Sequence, residues 1–294
     1  MKHYWKKNQE YVFPILWEHQ KGLFQSRVHF NILDKRNTDT TAFIRDDFFK
    51  IDDINMFVTS FVLYGLLEAK ELGTLKVDDH MLSESLLSIA SFRDKNTLDG
   101  IPQYAFWPQV KVNGTWTAQA TNLIHSVNLL PTPPPFMQKI LDRIGLSILG
   151  YAKSIGKAFC IPADNDDSSV NLALLGLMHE TKSPHYEFWN SLHWKKQAYY
   201  DHALKYAYRP FGAPPSFNKH ANEIDPRTYF VLREFLDMKY SQSENPSLIL
   251  PTTWLINTEE QVDGLLTMPF KTNNVDASVC ANFLFGLAYQ LISG

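Results

Sequence analysis

Asp164, Asp166 and Asp167 crowd three carboxyls into four positions, followed by Ser168, Ser169 and an apolar run to Gly176. Asp and Ser at such a point accept hydrogen bonds from the first free N–H groups of a helix, and the positive end of the helix dipole favours anions. Capping uses one such residue, or two. Three exceed that need, which makes Asp164, Asp166 and Asp167 the candidate chemical centre.

The pattern returns. Asp166-Asp167-Ser168 with Gly176 ten residues on aligns with Asp276-Ala277-Ser278 and Gly286 ten residues on. An earlier copy, Asp52-Asp53-Ile54-Asn55, leads into Phe57 to Gly65 at a similar offset. Each copy reads as an acidic or amide-bearing lead-in, a mostly apolar helix, and a glycine about three turns in. Recurrence at tens of residues marks a repeat architecture. Asp52, Asp53 and Asp276 therefore join the candidate set as binding residues, although well-capped buried helices would produce the same pattern.

Composition narrows the function classes. A formal charge of −3 with scattered basic residues gives no electrostatic footprint for nucleic acid. No run reaches the ~18 apolar residues of a membrane span. Cys160 and Cys280 stand too far apart to suggest zinc spacing or a disulfide framework. The cytoplasm is the default compartment, and the sequon Asn113-Gly114-Thr115 leaves secretion open. The ten histidines form no metal-ligand pair, and no GxSxG, P-loop or GxGxxG is present. Neither a metal nor a cofactor is expected. An aromatic content of 14% suits a ring-walled pocket as well as a packed core.

The elements that would position these groups follow from periodicity. Gln9 to Leu23 reads as a helix around Pro14, and Arg27 to Leu33 alternates like a strand. Asp52 to Ala69 is a helix apolar on most sides, and Asp78 to Phe92 an amphipathic one. Tyr104 to Val112 reads as a β-hairpin with an aromatic tip, an insertion near 100–116. Helices follow near Thr121–Leu130, over Phe136 to Ile155, and from the triple aspartate to about His179. Tyr186 to Tyr208 reads as one long wet helix, and residues 209–224 as a loop. Asp225-Pro226 starts a helix running to Met238. A segment around Ser247–Ile256 has weaker helical signs because of Pro251, and Asp276 to Ile292 closes the chain.

Apolar helices thus begin near 52, 121, 166, 225 and 276, with amphipathic ones between. A helix apolar on most sides must be surrounded, whereas its amphipathic neighbour can face water. The expectation is an all-α fold, a single α/α toroid over 1–294 of five or six helical hairpins in an inner and an outer ring. Parallel inner helices would collect the acidic lead-ins, Asp225 included, around one mouth.

At this point the residues resemble known families. Ile161 to Ser169, with Asp164-Asn165-Asp166-Asp167, resembles the DxDD motif of class II terpene cyclases, which opens an inner helix of an α/α barrel. Asp276 to Leu287 is similar to the last inner helix of protein prenyltransferase β-subunits, and Gln109 to Trp116 loosely to a cyclase QW repeat. The resemblance implies an isoprenoid substrate, with Asp166 as the general acid protonating an alkene or epoxide. Asp164 and Asp167 would raise its pKa as charged neighbours in a coupled cluster, and Phe106, Trp107 and Trp116 would face the carbocation. Those cyclases pair two barrels and this chain has room for one, which leaves a place for a companion barrel or a second copy. Zinc is not carried over, because Val279 holds the position before Cys280 and no histidine ligand is indicated.

Two other readings use the same residues. A carbohydrate-active barrel would pair Asp52 or Asp53 with Asp166 or Asp276 as two carboxyls, with Trp107 as a sugar platform. A non-catalytic toroid would bind a ligand, a partner or a cation such as Ca²⁺ at the acidic mouth. An open mouth favours catalysis. A filled mouth, with carboxylates spent on helix N–H groups, favours binding.

Overall fold

The computed structural model describes residues 18–29, 50–97, 100–122, 124, 160–213, 217–242 and 247–292. The described part is largely helical, with two small antiparallel ladders. In chain order these are β1 (Ser26–His29), β2 (Lys50–Asp53), α1 (Phe57–Glu71), α2 (Asp79–Ala90), β3 (Gln109–Val112), β4 (Thr115–Ala118), α3 (Asn165–Glu180), α4 (Tyr186–Leu192), α5 (Lys196–Tyr206), α6 (Pro226–Ser241) and α7 (Ala277–Ile292).

α3 is the centre. Every residue from Asp167 to Met178 is buried, polar ones included. α7, α1 and α4 pack against it, and α2 packs against α1. α3 and α7 run parallel, because partners climb both helices together: Asn282 meets Asp166, Gly286 meets Ser169, and Gln290 donates to the Leu172 carbonyl at 2.9 Å. The paired glycines explain the ten-residue repeat. A Cβ at Gly286 would stand 2.6 Å from the Ser169 carbonyl oxygen, and one at Gly176 would stand 2.6 Å from the Tyr289 Cβ. Their recurrence is a close-packing device between two helices. Gly65, in the third copy, meets nothing within 4 Å.

Extended segments close the N-terminal end of this bundle. Asp164 bridges Tyr104 on one side and Trp254 on the other. Asp164 N–H donates to the Tyr104 carbonyl (3.2 Å), Asn165 N–H to that of Thr253 (2.9 Å), and Met56 N–H, at the start of α1, to that of Phe106 (3.4 Å). The starts of α1 and α3 therefore lie beneath one roof made of residues around 104–107 and 252–255.

Several expectations need correction. α1 starts at Phe57, where Asn55 Oδ1 accepts from Val58 N–H (3.2 Å), so Asp52 and Asp53 lie in β2 and cap no helix. The hairpin spans Gln109–Ala118, and its tip is Asn113-Gly114, whose φ values of 49° and 87° suit the two-residue turn. Phe106 and Trp107 precede it, in the roof. The helix expected over Tyr186 to Tyr208 is two, parted at His193. No helix forms around Ser247–Ile256, where Leu250 pairs with Tyr208 and Trp254 with Asp164. α6, expected as an inner helix, buries only Leu236 and leaves Phe230 70% and Val231 79% exposed. Apolar residues all round a helix did not imply enclosure there. The helices expected near Thr121–Leu130 and over Phe136 to Ile155 fall almost wholly outside the described residues, as does the one over Gln9 to Leu23 except for residues 18–23, which form a turn.

Candidate functional site

The helix starts fix the carboxyls. Asp164 takes the N-cap of α3, with extended backbone, and its Oδ1 accepts from Asp167 N–H at 2.7 Å. Both side chains are buried. Burial pushes the Asp164 carboxyl up to about 7 against the pull of the Asp167 N–H. Asp167 is held well above the carboxylate range, first by burial and then by the facing charge of Asp164. Neither Asp167 oxygen has a hydrogen-bond donor among the described residues. Two carboxyls packed together in a dry site disfavour a second charge, and the Asp167 N–H fixes Asp164 as an acceptor.

Asp166 turns the other way, is half-buried, and its Oδ1 accepts from Asn282 Nδ2 on α7 at 2.6 Å. Burial raises its pKa, the Asn282 amide lowers it, and the charge of Asp276 raises it again. Asp276 caps α7, accepting from Ser278 N–H (2.7 Å) and Ser278 Oγ (2.6 Å), bonds that hold its own pKa low. The parallel α3 and α7 thus set Asp276 near Asp166, with Asp164 and Asp167 on the same first turn of α3.

The remaining candidates divide. Asp53 reaches the roof: its Oδ1 accepts from the Trp107 indole N–H (3.0 Å) and its Oδ2 from Asn55 Nδ2 (2.7 Å), and burial raises its pKa. Phe106 stands edge-on to Trp107, and both pack with Ile161 and Trp254 as a small apolar plug. Asp52 faces the other side of the ladder, where Gln25 donates to it and His19 Nε2 stands 3.7 Å away. Trp116 stands apart on β4, with Lys95 Nζ 4.3 Å from its ring centroid. It faces no carboxyl of the cluster. Among the described residues, no three His, Cys, Asp or Glu are grouped to hold a metal ion, and no helix is long and apolar enough to cross a membrane.

No family model matches this chain, and neither a curated protein nor a solved structure does.

Residues beyond the candidate set complete the mouth. Asn165 donates to the Thr252 carbonyl (2.6 Å) and accepts from Tyr199 O–H (2.9 Å), which also meets Ser169 Oγ at 2.8 Å. Tyr104 N–H donates to Ser168 Oγ (3.0 Å), and Tyr104 O–H lies 3.0 Å from His193 Nε2. His193 Nδ1 faces the Trp189 carbonyl at 2.7 Å, so Nδ1 carries the hydrogen and Nε2 accepts. Burial pulls this histidine down to about 3. Asn282 was open to sequence reasoning. It lies one turn from both Ser278 and Gly286, on the face that meets α3. Asn165 left no comparable signal, since Thr252 and Tyr199 are distant in sequence, and neither did the contact of His193 with Tyr104.

Chemically, the mouth is two things. The Asp164–Asp167 pair, covered by the roof, is a sealed clamp. Asp166 is a solvent-reaching carboxyl with a raised pKa, fixed by one amide.

Proposed function

We propose that this chain is a ligand-binding helical protein whose acidic lead-ins serve as structural clamps, with α1, α3 and α7 as part of the inner ring of an α/α toroid. One observation carries the reading: the mouth is filled. Asp164 is spent on the Asp167 N–H, Asp276 on Ser278, and Asp53 on Trp107 and Asn55, and the Asp167 carboxyl is wholly buried beside Asp164. An acid that initiates chemistry on a large substrate needs a cavity at its carboxyl, and here aromatic plug residues cover the centre of the cluster. The free thiols of Cys160 and Cys280 support the cytoplasm as its compartment.

Asp166 favours a second reading, the acid-initiated chemistry on an isoprenoid implied by the cyclase-like motif. Its raised pKa, partial exposure and Asn282 contact fit a positioned proton donor. One experiment separates the two. Wild type and Asp166→Asn are incubated with polyprenyl substrates and with oligosaccharides, and products are followed by chromatography. The binding reading expects no turnover by either protein. Turnover by wild type that Asp166→Asn abolishes would replace it with the acid reading.

A further inference from the structure

α7 carries no charged residue from Ala277 to Ile292, and its apolar residues run all round it. Val279, Phe283, Gly286 and Gln290 are buried on one side, where Gly286 and Gln290 meet α3. The opposite face holds Ala277, Ala281, Leu284, Ala288, Leu291 and Ile292, all exposed, Leu284 to 62%, Leu291 to 75% and Ile292 to 71%. A helix whose outer face meets water ordinarily puts charged and polar residues there. This face has none. The patch continues sideways onto α1: Phe285 meets Tyr64 (ring centroids 5.0 Å), and Phe61, one turn before Tyr64, is 40% exposed. A contiguous apolar patch of this kind marks an interaction site.

The spacing on this face selects the partner. Ala277, Ala281, Leu284, Ala288 and Leu291 alternate steps of four and three, the seam by which two helices pack knobs into holes. Ala281 and Ala288 hold one of the two seam positions, and Leu284 and Leu291 hold the other. In an antiparallel pair each position of one kind faces the other kind across the seam, so a second α7 would set leucine against alanine layer by layer. Large then fills small. The face is complementary to itself, as a two-fold contact between identical copies requires. A parallel pair would set leucine on leucine and alanine on alanine, and the alanine layers would be left underfilled.

Charge points the same way. Antiparallel copies bring the positive N-terminal end of each helix dipole beside the negative C-terminal end of the other. A strongly charged partner would bury its charges against a face that offers no counter-charge. A membrane fits poorly as well: helices that lie on bilayers border the apolar face with Lys and Arg, and α7 has neither. The ion at its start is the Asp276 carboxylate, held by Ser278, which anionic headgroups would repel.

We propose that the outer face of α7 is the contact between two copies of this chain, paired antiparallel through Ala281, Leu284, Ala288 and Leu291, with Phe61 at its margin. The proposal stands apart from the ligand-binding reading and survives its failure. The full chain is followed by sedimentation velocity over a concentration series, beside Leu284→Glu, Ala288→Glu and, as a control on another exposed apolar surface, Val231→Glu on α6. Wild type and Val231→Glu are expected at twice the chain mass. Leu284→Glu and Ala288→Glu should weaken the dimer about thirtyfold or more, the scale of one buried anchor of an interface, with far-UV circular dichroism equal to wild type. A single-chain mass for wild type at every concentration would overturn the proposal. So would a dimer that survives both seam variants, or one that Val231→Glu dissolves instead. Loss of helix in both seam variants would mean that α7 is covered within its own chain, and overturns it too. A last arm spins wild type with phosphatidylcholine–phosphatidylserine vesicles, and co-sedimentation abolished by Leu284→Glu would give the face to a membrane rather than to a second copy.

Discussion

Gly286 and Ser169 set the distance between the two helices that hold the aspartate cluster: a single methyl at Gly286 would stand 2.6 Å from the Ser169 carbonyl oxygen. That oxygen belongs to buried helical backbone and cannot step aside. The contact brings α7 close enough for Asn282 to reach Asp166 and for Asp276 to act on it.

Gly286→Ala should therefore destabilise the protein by about 1–3 kcal/mol, the usual cost of overpacking, and Gly176→Ala, whose Cβ would meet the Tyr289 Cβ, by a similar amount. Gly65→Ala should instead stabilise by roughly 0.5–1 kcal/mol, because alanine suits an open helical position better. Urea denaturation of the three variants checks this. Equal behaviour at positions 65 and 286 would remove the packing explanation of the repeat.

Tyr104→Phe deletes the hydroxyl that donates to His193 Nε2 and leaves a wholly buried acceptor without a partner. The expected cost is about 1–3 kcal/mol, read as a lower urea midpoint with unchanged far-UV circular dichroism. A midpoint equal to wild type would mean that His193 is satisfied some other way.

Asp166 lies between two influences of opposite sign. The Asn282 amide favours its ionised form, and the Asp276 charge disfavours it. Asn282→Leu should raise the Asp166 titration midpoint and Asp276→Asn should lower it, both seen by carboxyl carbon NMR. Shifts in the same direction would show that one of the two does not act on Asp166 directly.

What the sequence disclosed depended on how local each signal was. The lead-ins at Asp164 and Asp276 and the Asp225-Pro226 start are caps, decided by a side chain and an N–H two or three residues away, and all three hold helices as expected. Two copies of the Asp–Gly repeat, α3 and α7, pack in parallel and set Asp166 and Asp276 near each other, whereas Gly65 of the third copy meets nothing within 4 Å. Asp52 failed because an acidic pair before an apolar run also fits a strand end, and its ladder partner Arg27 and side-chain partner Gln25 lie on the preceding segment of chain. The roof was hidden for the same reason. Tyr104, Asp164 and Trp254 pair across large sequence separations through backbone groups, which carry no residue signature.

The Asp164–Asp167 clamp makes a pH prediction. Burial raises both carboxyls, Asp164 to about 7, from an unfolded value of 3.8. The folded state thus keeps a proton that the unfolded chain has released, and the stability this confers is complete below about 3.8 and lost as pH rises through about 7. His193 acts in the opposite sense: lowered to about 3 by burial, it contributes stability that is complete above 6.5 and is lost as pH falls toward 3. The two slopes oppose each other in mild acid, but His193 is common to wild type and variant, so the difference between the two proteins reports the clamp. Between about pH 3.8 and about pH 7 the clamp's contribution falls by as much as about 1.4 kcal/mol per pH unit for each proton retained. Asp167→Asn removes the second carboxyl of the pair, keeps the contact to Asp164, and should flatten that fall. Urea midpoints of both proteins measured at about pH 5 and about pH 7 decide it. Parallel decline in wild type and variant would mean that the pair releases its proton elsewhere, and that Asp164 and Asp167 do not share one beneath the roof.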